Sequence, residues 1–244
     1  MSVNNYRMII QYDGTNYAGW QIQQNASTVQ QVISDAIKIL TKENINLIGS
    51  GRTDSGVHSL GQTANFKTEK EIDIFRFTYS LNSILPKDIS VKKLEEADIN
   101  FNARINAKRR IYLYLFTKYK SPFFDKYSYF YHEKINCTRL NDLSRFLTGR
   151  KDFTSFCKTI SGTENKICNV YSIRWKESKK MIFFFIEADR YLHGMVRAII
   201  GTLLHTAKKD LNENYIEDVF SAKTRTASGE AVPAKGLFLY KVKY

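Results

Sequence analysis

The sequence predicts an α+β fold, antiparallel sheet backed by helices on one face. Three observations predict it. Helical spacings and short β-rich runs follow one another in no strict βαβ rhythm. Two β-rich runs in the second half flank a polar, lysine-rich turn and read as a hairpin. The 244 residues, 43% hydrophobic and 25% charged, suffice for a sizeable core in one large domain or two joined halves.

The elements follow in order. Arg7 to Tyr12 reads as a strand closed by the turn signal Asp13-Gly14. After Thr28 as N-cap, Val29, Val32, Ile33, Ala36, Ile37 and Leu40 trace one helical face. Ile45 to Ile48 and Thr63 to Lys67 read as strands on either side of a glycine-rich loop. Ile74 to Leu85 has helical spacing and must stop before Pro86. A strand is expected at Ile89 to Leu94 and another at Arg110 to Thr117, where Tyr112, Tyr114 and Phe116 share a face. Leu140, Leu143 and Leu147 mark a helix ending at Gly149. Val170 to Trp175 and Met181 to Glu187 form the hairpin, Met195 to Ala207 a helix with a broad apolar face, and Leu237 to Val242 a closing strand. The halves divide at residues 1–100 and 101–244, and no sequence repeat relates them.

Lys and Arg number 37 against 24 Asp and Glu, a formal charge of +13. Such an excess favours a polyanionic partner, because phosphate contacts release counterions. The N-terminal residues lack an apolar stretch of signal-peptide length. The longest apolar run, Met181 to Ile186, is far short of the roughly 20 residues a spanning helix needs. Cys137, Cys157 and Cys168 show no CxxC spacing, and the four histidines form no cluster with them. The expectation is a cytoplasmic protein without a structural metal or disulfide framework.

The stretch GSGRTDSGVHSLGQTA at 49–64 could be a phosphate cradle, a polar surface turn or a loop that holds one carboxylate ready for chemistry. Gly51 to Gly56 supplies GxxxxG, but Val57 and His58 stand where a P-loop requires Lys and Ser/Thr. Asp54 occupies the third glycine position of a dinucleotide fingerprint, where its charge would repel a pyrophosphate. A GxSxG elbow would need glycines at Thr53 and Val57. Two readings stand: a carboxylate held between Gly51 and Gly56 beside Arg52, or a surface turn with a weak ion pair. Arg104, Lys108, Arg109 and Arg110 precede the aromatic stripe, which suits either stacking on unpaired bases or an ordinary core strand. Arg197, in an apolar first turn, either pairs with a carboxylate such as Asp54 or lies on the surface.

GRTDSGVHSLGQ (51–62) resembles the catalytic signature of the tRNA pseudouridine synthase A (TruA) family. YDGTNYAGWQIQ with TVQ, LPKDISV, FNAR, RRIYLY, DFTSF, MVRAIIG and PAKGLFL follow in the family's order across nearly the whole chain. The resemblance implies the pseudouridine synthase fold, two similar α+β halves sharing a central, mostly antiparallel sheet with a cleft between them. It implies Asp54 as the catalytic aspartate, Arg197 as its partner, Tyr112 as the tyrosine stacking on the flipped uridine and Arg52 as the arginine displacing it. It implies a homodimer with no cofactor, acting on uridines 38 to 40 in the anticodon arm of tRNA. Ser55 replaces a familiar alanine, Asn102 a frequent histidine, and His193 and Gly194 bulkier residues. Gly194 is expected to loosen the helix start by roughly 1 kcal/mol. The competing reading is a non-catalytic RNA-binding protein on the same scaffold. An RNA methyltransferase would need a glycine-rich nucleotide site that the sequence lacks.

Overall fold

The computed structural model describes residues 3–158 and 164–244. In chain order its elements are β1 (Asn4–Tyr12), α1 (Val29–Thr41), β2 (Ile48–Gly49), β3 (His58–Thr68), α2 (Ile74–Ile84), β4 (Ile89–Ala97) and β5 (Arg109–Thr117). There follow β6 (Tyr129–Phe130), α3 (Cys137–Ser144), β7 (Gly149–Asp152), β8 (Ile167–Glu177), β9 (Met181–Ala188), α4 (Met195–Lys208), α5 (Asn214–Ala222) and β10 (Leu237–Lys243). The class is α+β, as the sequence predicts. The chain divides into two compact units, Met1–Lys108 with Phe238–Tyr244, and Arg109–Leu237.

In the first unit β1 lies between β3 and β4 and is antiparallel to both. The other edge of β3 is shared by β2, antiparallel at Ile48–Asn65, and β10, parallel at Phe238–His58. Alternation along β1 buries Tyr6, Met8, Ile10 and Tyr12 against Val29, Ile33, Ala36 and Ile37 of α1. Each large aliphatic side chain so buried contributes about 1.5–3 kcal/mol. The Thr28 hydroxyl caps α1 by accepting from the Gln31 amide at 3.4 Å. The Asp73 carboxylate does the same for α2, accepting from the Arg76 amide at 3.0 Å.

In the second unit β9 pairs antiparallel with β5 and β8, and β7 extends the sheet beyond β8. Asn136 caps α3. Tyr112, Tyr114 and Phe116 all face inward from β5 and are buried. Phe116 stacks on Trp175, with ring centroids 5.8 Å apart. For Tyr114 and Phe116, left open between base stacking and core, the structure decides for core: neither exposes any surface.

Both units use the same device to fix a helix on a strand. Asn82 of α2 donates to the Val91 carbonyl (2.9 Å) and accepts from its amide (2.8 Å). Asn141 of α3 makes the same pair of bonds with Trp175 of β8, at 3.0 and 2.8 Å. The expectation that Gly194 weakens the start of α4 is corrected. Gly194 precedes the first helical turn at φ +74°, a left-handed conformation in which a side chain would be strained. Among the described residues no helix is long and apolar enough to cross a membrane.

Candidate active site

The loop 50–57 joins β2 to β3 and is held at both ends and along its floor. At its start the buried Ser50 donates its amide to the Thr63 carbonyl (2.7 Å) and its hydroxyl to Gln62 Oε1 (2.6 Å). Gln62 Nε2 returns a bond to the Gly51 carbonyl at 2.9 Å. Thr53 is buried, its hydroxyl 2.8 Å from that of Tyr12. Burial pushes the Tyr12 phenol far above its ordinary range, so this contact is between two neutral hydroxyls. The amide of Val57 donates to the Asp54 carbonyl (3.1 Å), closing a turn with Gly56 at φ +74° in its third position. Of the two glycines flanking Asp54, Gly56 therefore needs its conformational freedom, whereas Gly51 keeps a negative φ.

The segment after β1 forms a cradle beneath this loop. The Trp20 amide donates to the Thr53 carbonyl at 3.1 Å. The Tyr17 carbonyl accepts from the Gly56 amide and the Ser55 hydroxyl, each at 3.3 Å. Gly14 and Gly19 allow the closest approaches: a Cβ on Gly14 would fall 2.0 Å from the Val57 carbonyl oxygen, and one on Gly19 2.4 Å from that of Thr53. These contacts leave Asp54 half-buried on a braced turn. Arg52, on the same loop, is exposed and donates Nε to Gln21 Oε1 at 3.1 Å.

Tyr112 and Arg197 belong to the second unit. Tyr112 is 7% exposed and meets Tyr191 edge-on, with centroids 5.0 Å apart. Tyr191 is itself fixed by donating to the Ile186 carbonyl at 2.9 Å. Arg197, in the first turn of α4, is half-buried. Its Nε donates to the Val232 carbonyl at 2.6 Å, and the Val232 amide donates to the Arg197 carbonyl at 3.3 Å. One helical turn on, Gly201 packs so closely that a Cβ would lie 1.7 Å from the Glu230 carbonyl oxygen. The 229–233 segment is thus threaded along α4, with the Tyr114 hydroxyl donating to the Pro233 carbonyl at 2.7 Å.

The structure places Asp54 and Arg52 on one loop of the first unit, and Tyr112 and Arg197 on β5 and α4 of the second. A half-buried carboxylate on a braced turn can serve as nucleophile or as base. Sequence reasoning gives no role to Tyr17, Gly19 and Trp20, and reads Gly14 only as part of a turn signal. The spacing of glycines and aromatics in YDGTNYAGW was the available signal.

Comparison with known proteins settles the family. A family model described as tRNA pseudouridine synthase matches residues 8–105 and 144–244. The chain belongs to this family. It is 40% identical over 244 residues to tRNA pseudouridine synthase A of Caldicellulosiruptor saccharolyticus, covering 99% of this chain and 100% of that protein. It is 38% identical over 244 residues to the Clostridium acetobutylicum protein of the same name, with the same coverage. To that of Brachyspira hyodysenteriae it is 39% identical over 240 residues, 97% of this chain and 96% of the relative. A chain of a Cbf5-Nop10-Gar1 complex aligns at a TM-score of 0.36 and 10% identity, over 80% of this chain and 52% of that one, a likeness too slight to bear on function. The protein is therefore a tRNA pseudouridine synthase, an isomerase whose substrate is tRNA. This excludes the non-catalytic and methyltransferase readings.

Proposed function

We propose that this enzyme isomerises uridines 38 to 40 in the anticodon arm of tRNA, with Asp54 as the catalytic carboxylate. The bond from uracil N1 to ribose C1′ breaks, the base turns, and C5 bonds to C1′ while its proton passes to solvent and N1 gains one. Nothing is added, so the reaction needs no cofactor. The carboxylate acts at the sugar, as nucleophile or as base. In the stem the target must leave the stack, at about a few kcal/mol. Arg52, exposed on the same loop, fills the gap, Tyr112 stacks on the extruded base and Arg197 is the second catalytic residue. The enzyme acts in the cytoplasm as a homodimer.

The observation that carries this reading is the bracing of the Asp54 turn. Bonds from Ser50, Gln62, Trp20 and Gly56 hold the backbone around Asp54, so that its carboxylate is presented in one place. The net charge of +13 supports an anionic substrate. The test is Asp54→Asn, assayed by tritium release from C5-labelled tRNA and by carbodiimide mapping of the product. The expected result is no tritium release with tRNA affinity retained; turnover by the variant, or product outside the anticodon arm, contradicts the proposal.

A further inference from the structure

His58 follows the loop immediately and has no part in the chemistry above, yet its surroundings are built around it. The imidazole is 1% exposed and stacks on Phe238 of β10, with centroids 4.7 Å apart. Its Nδ1 lies 3.0 Å from the Gly14 amide nitrogen and 3.1 Å from Asp13 Oδ1. One nitrogen cannot accept from the first and donate to the second in the same state. Asp13 Oδ1 already accepts from the Thr15 amide (3.0 Å) and hydroxyl (2.5 Å). The Gly14 proton, pointing at Nδ1 within a buried turn, is costly to leave unpaired. A neutral ring with its proton on Nε2 accepts from the Gly14 amide, while Asp13 Oδ1 keeps its bonds from Thr15.

We propose that His58 is a positioning residue for the Asp54 turn, its Nδ1 fixing the end of the loop against the Asp13-Gly14 turn by accepting the Gly14 amide proton. The contact is close on both sides of this bond, since a Cβ on Gly14 would sit 2.0 Å from the Val57 carbonyl oxygen. The Val57 amide in turn holds the Asp54 carbonyl at 3.1 Å. A shift of residues 57 and 58 is thus passed through one hydrogen bond to the backbone of Asp54. The inference rests on the reading of Asp54 as the reacting group.

Two variants separate positioning from packing. His58→Phe keeps a ring to stack on Phe238 and loses the acceptor; His58→Asn loses the ring and keeps an acceptor near the Nδ1 position. The expected result is a fall in kcat for His58→Phe on the order of 100-fold, the cost of a misplaced reacting group, with little change in KM for tRNA. His58→Asn should recover most of that loss. If His58 merely packs, the order reverses. The inference is overturned if His58→Phe keeps the wild-type kcat or if His58→Asn falls as far. Should His58→Phe not fold, imidazole nitrogen-15 shifts of the wild-type enzyme decide: an unprotonated Nδ1 is expected, and a protonated Nδ1 overturns the proposal. Asp54→Asn run in parallel keeps the two readings apart. An active Asp54→Asn removes the reading of Asp54, whereas an inert one beside a fully active His58→Phe removes only that of His58.

Discussion

The α-carbon of Gly19 lies directly against the carbonyl of Thr53, the residue before Asp54. Gly19 stands at φ +94°, and a Cβ there would fall 2.4 Å from the Thr53 oxygen and 3.1 Å from the Asp54 carbonyl carbon. Collision and backbone strain coincide at this point, and the group they would displace is the turn that presents the carboxylate.

Gly149 supplies a control for Gly19. It has nearly the same φ, +93°, but a Cβ there meets nothing within 4 Å. Gly149→Ala should therefore show backbone strain alone, about 1–3 kcal/mol of lost stability, with turnover kept. Gly19→Ala should lose more stability and, beyond that, kcat. Thermal denaturation and tritium release on both variants check this; equal kcat values for the pair would show that the Asp54 turn tolerates displacement.

Tyr114 is an internal strut, bonded to Pro233 and with its ring fully buried. Tyr114→Phe removes one hydroxyl and leaves a carbonyl short of a donor, which costs about 1–3 kcal/mol. The expected outcome is a lower Tm with unchanged tRNA affinity. Loss of affinity at full stability would instead return this side chain to the RNA.

Glu95 gives a prediction in pH. The Lys93 ammonium, and after it the Arg7 guanidinium, hold its carboxyl below the ordinary glutamate value of 4.5. Arg7 Nε donates to Glu95 Oε1 at 2.6 Å, so the pair joins β1 to β4. A carboxylate whose folded-state value is depressed adds stability above 4.5 and loses it as pH falls through the lower folded value. Glu95→Gln should thus lower Tm at neutral pH, and its deficit against the wild type should shrink in acid. Melting curves across that range test the sign.

The sequence reveals α1 clearly because a capping threonine and an apolar stripe point to the same helix, and both appear in the structure. The start of β3 is hidden for a physical reason. His58, Ser59 and Gln62 are polar, yet all are buried, paired sideways to neighbouring strands and loops that a local pattern does not see. Helix α5 goes unread because only Ile216 and Val219 are buried in an otherwise polar stretch, although Ile216, Val219 and Phe220 do carry helical spacing. At the site, Asp54 stands out through its odd glycine-flanked setting. What supports it does not, since Gly14 and Gly19 act by lacking a side chain at a contact made some 40 positions away in the chain.

The pairing of Phe238 with His58 has a consequence for the order in which this enzyme is completed. The whole signature emerges from the ribosome early, but the ring that stacks on its His58 is translated some 180 residues later. A nascent chain halted before Phe238 would carry every residue of the signature with His58 still open to water. A stop codon or a bulky fusion placed at the closing strand would therefore remove or disturb the ring that stacks on His58.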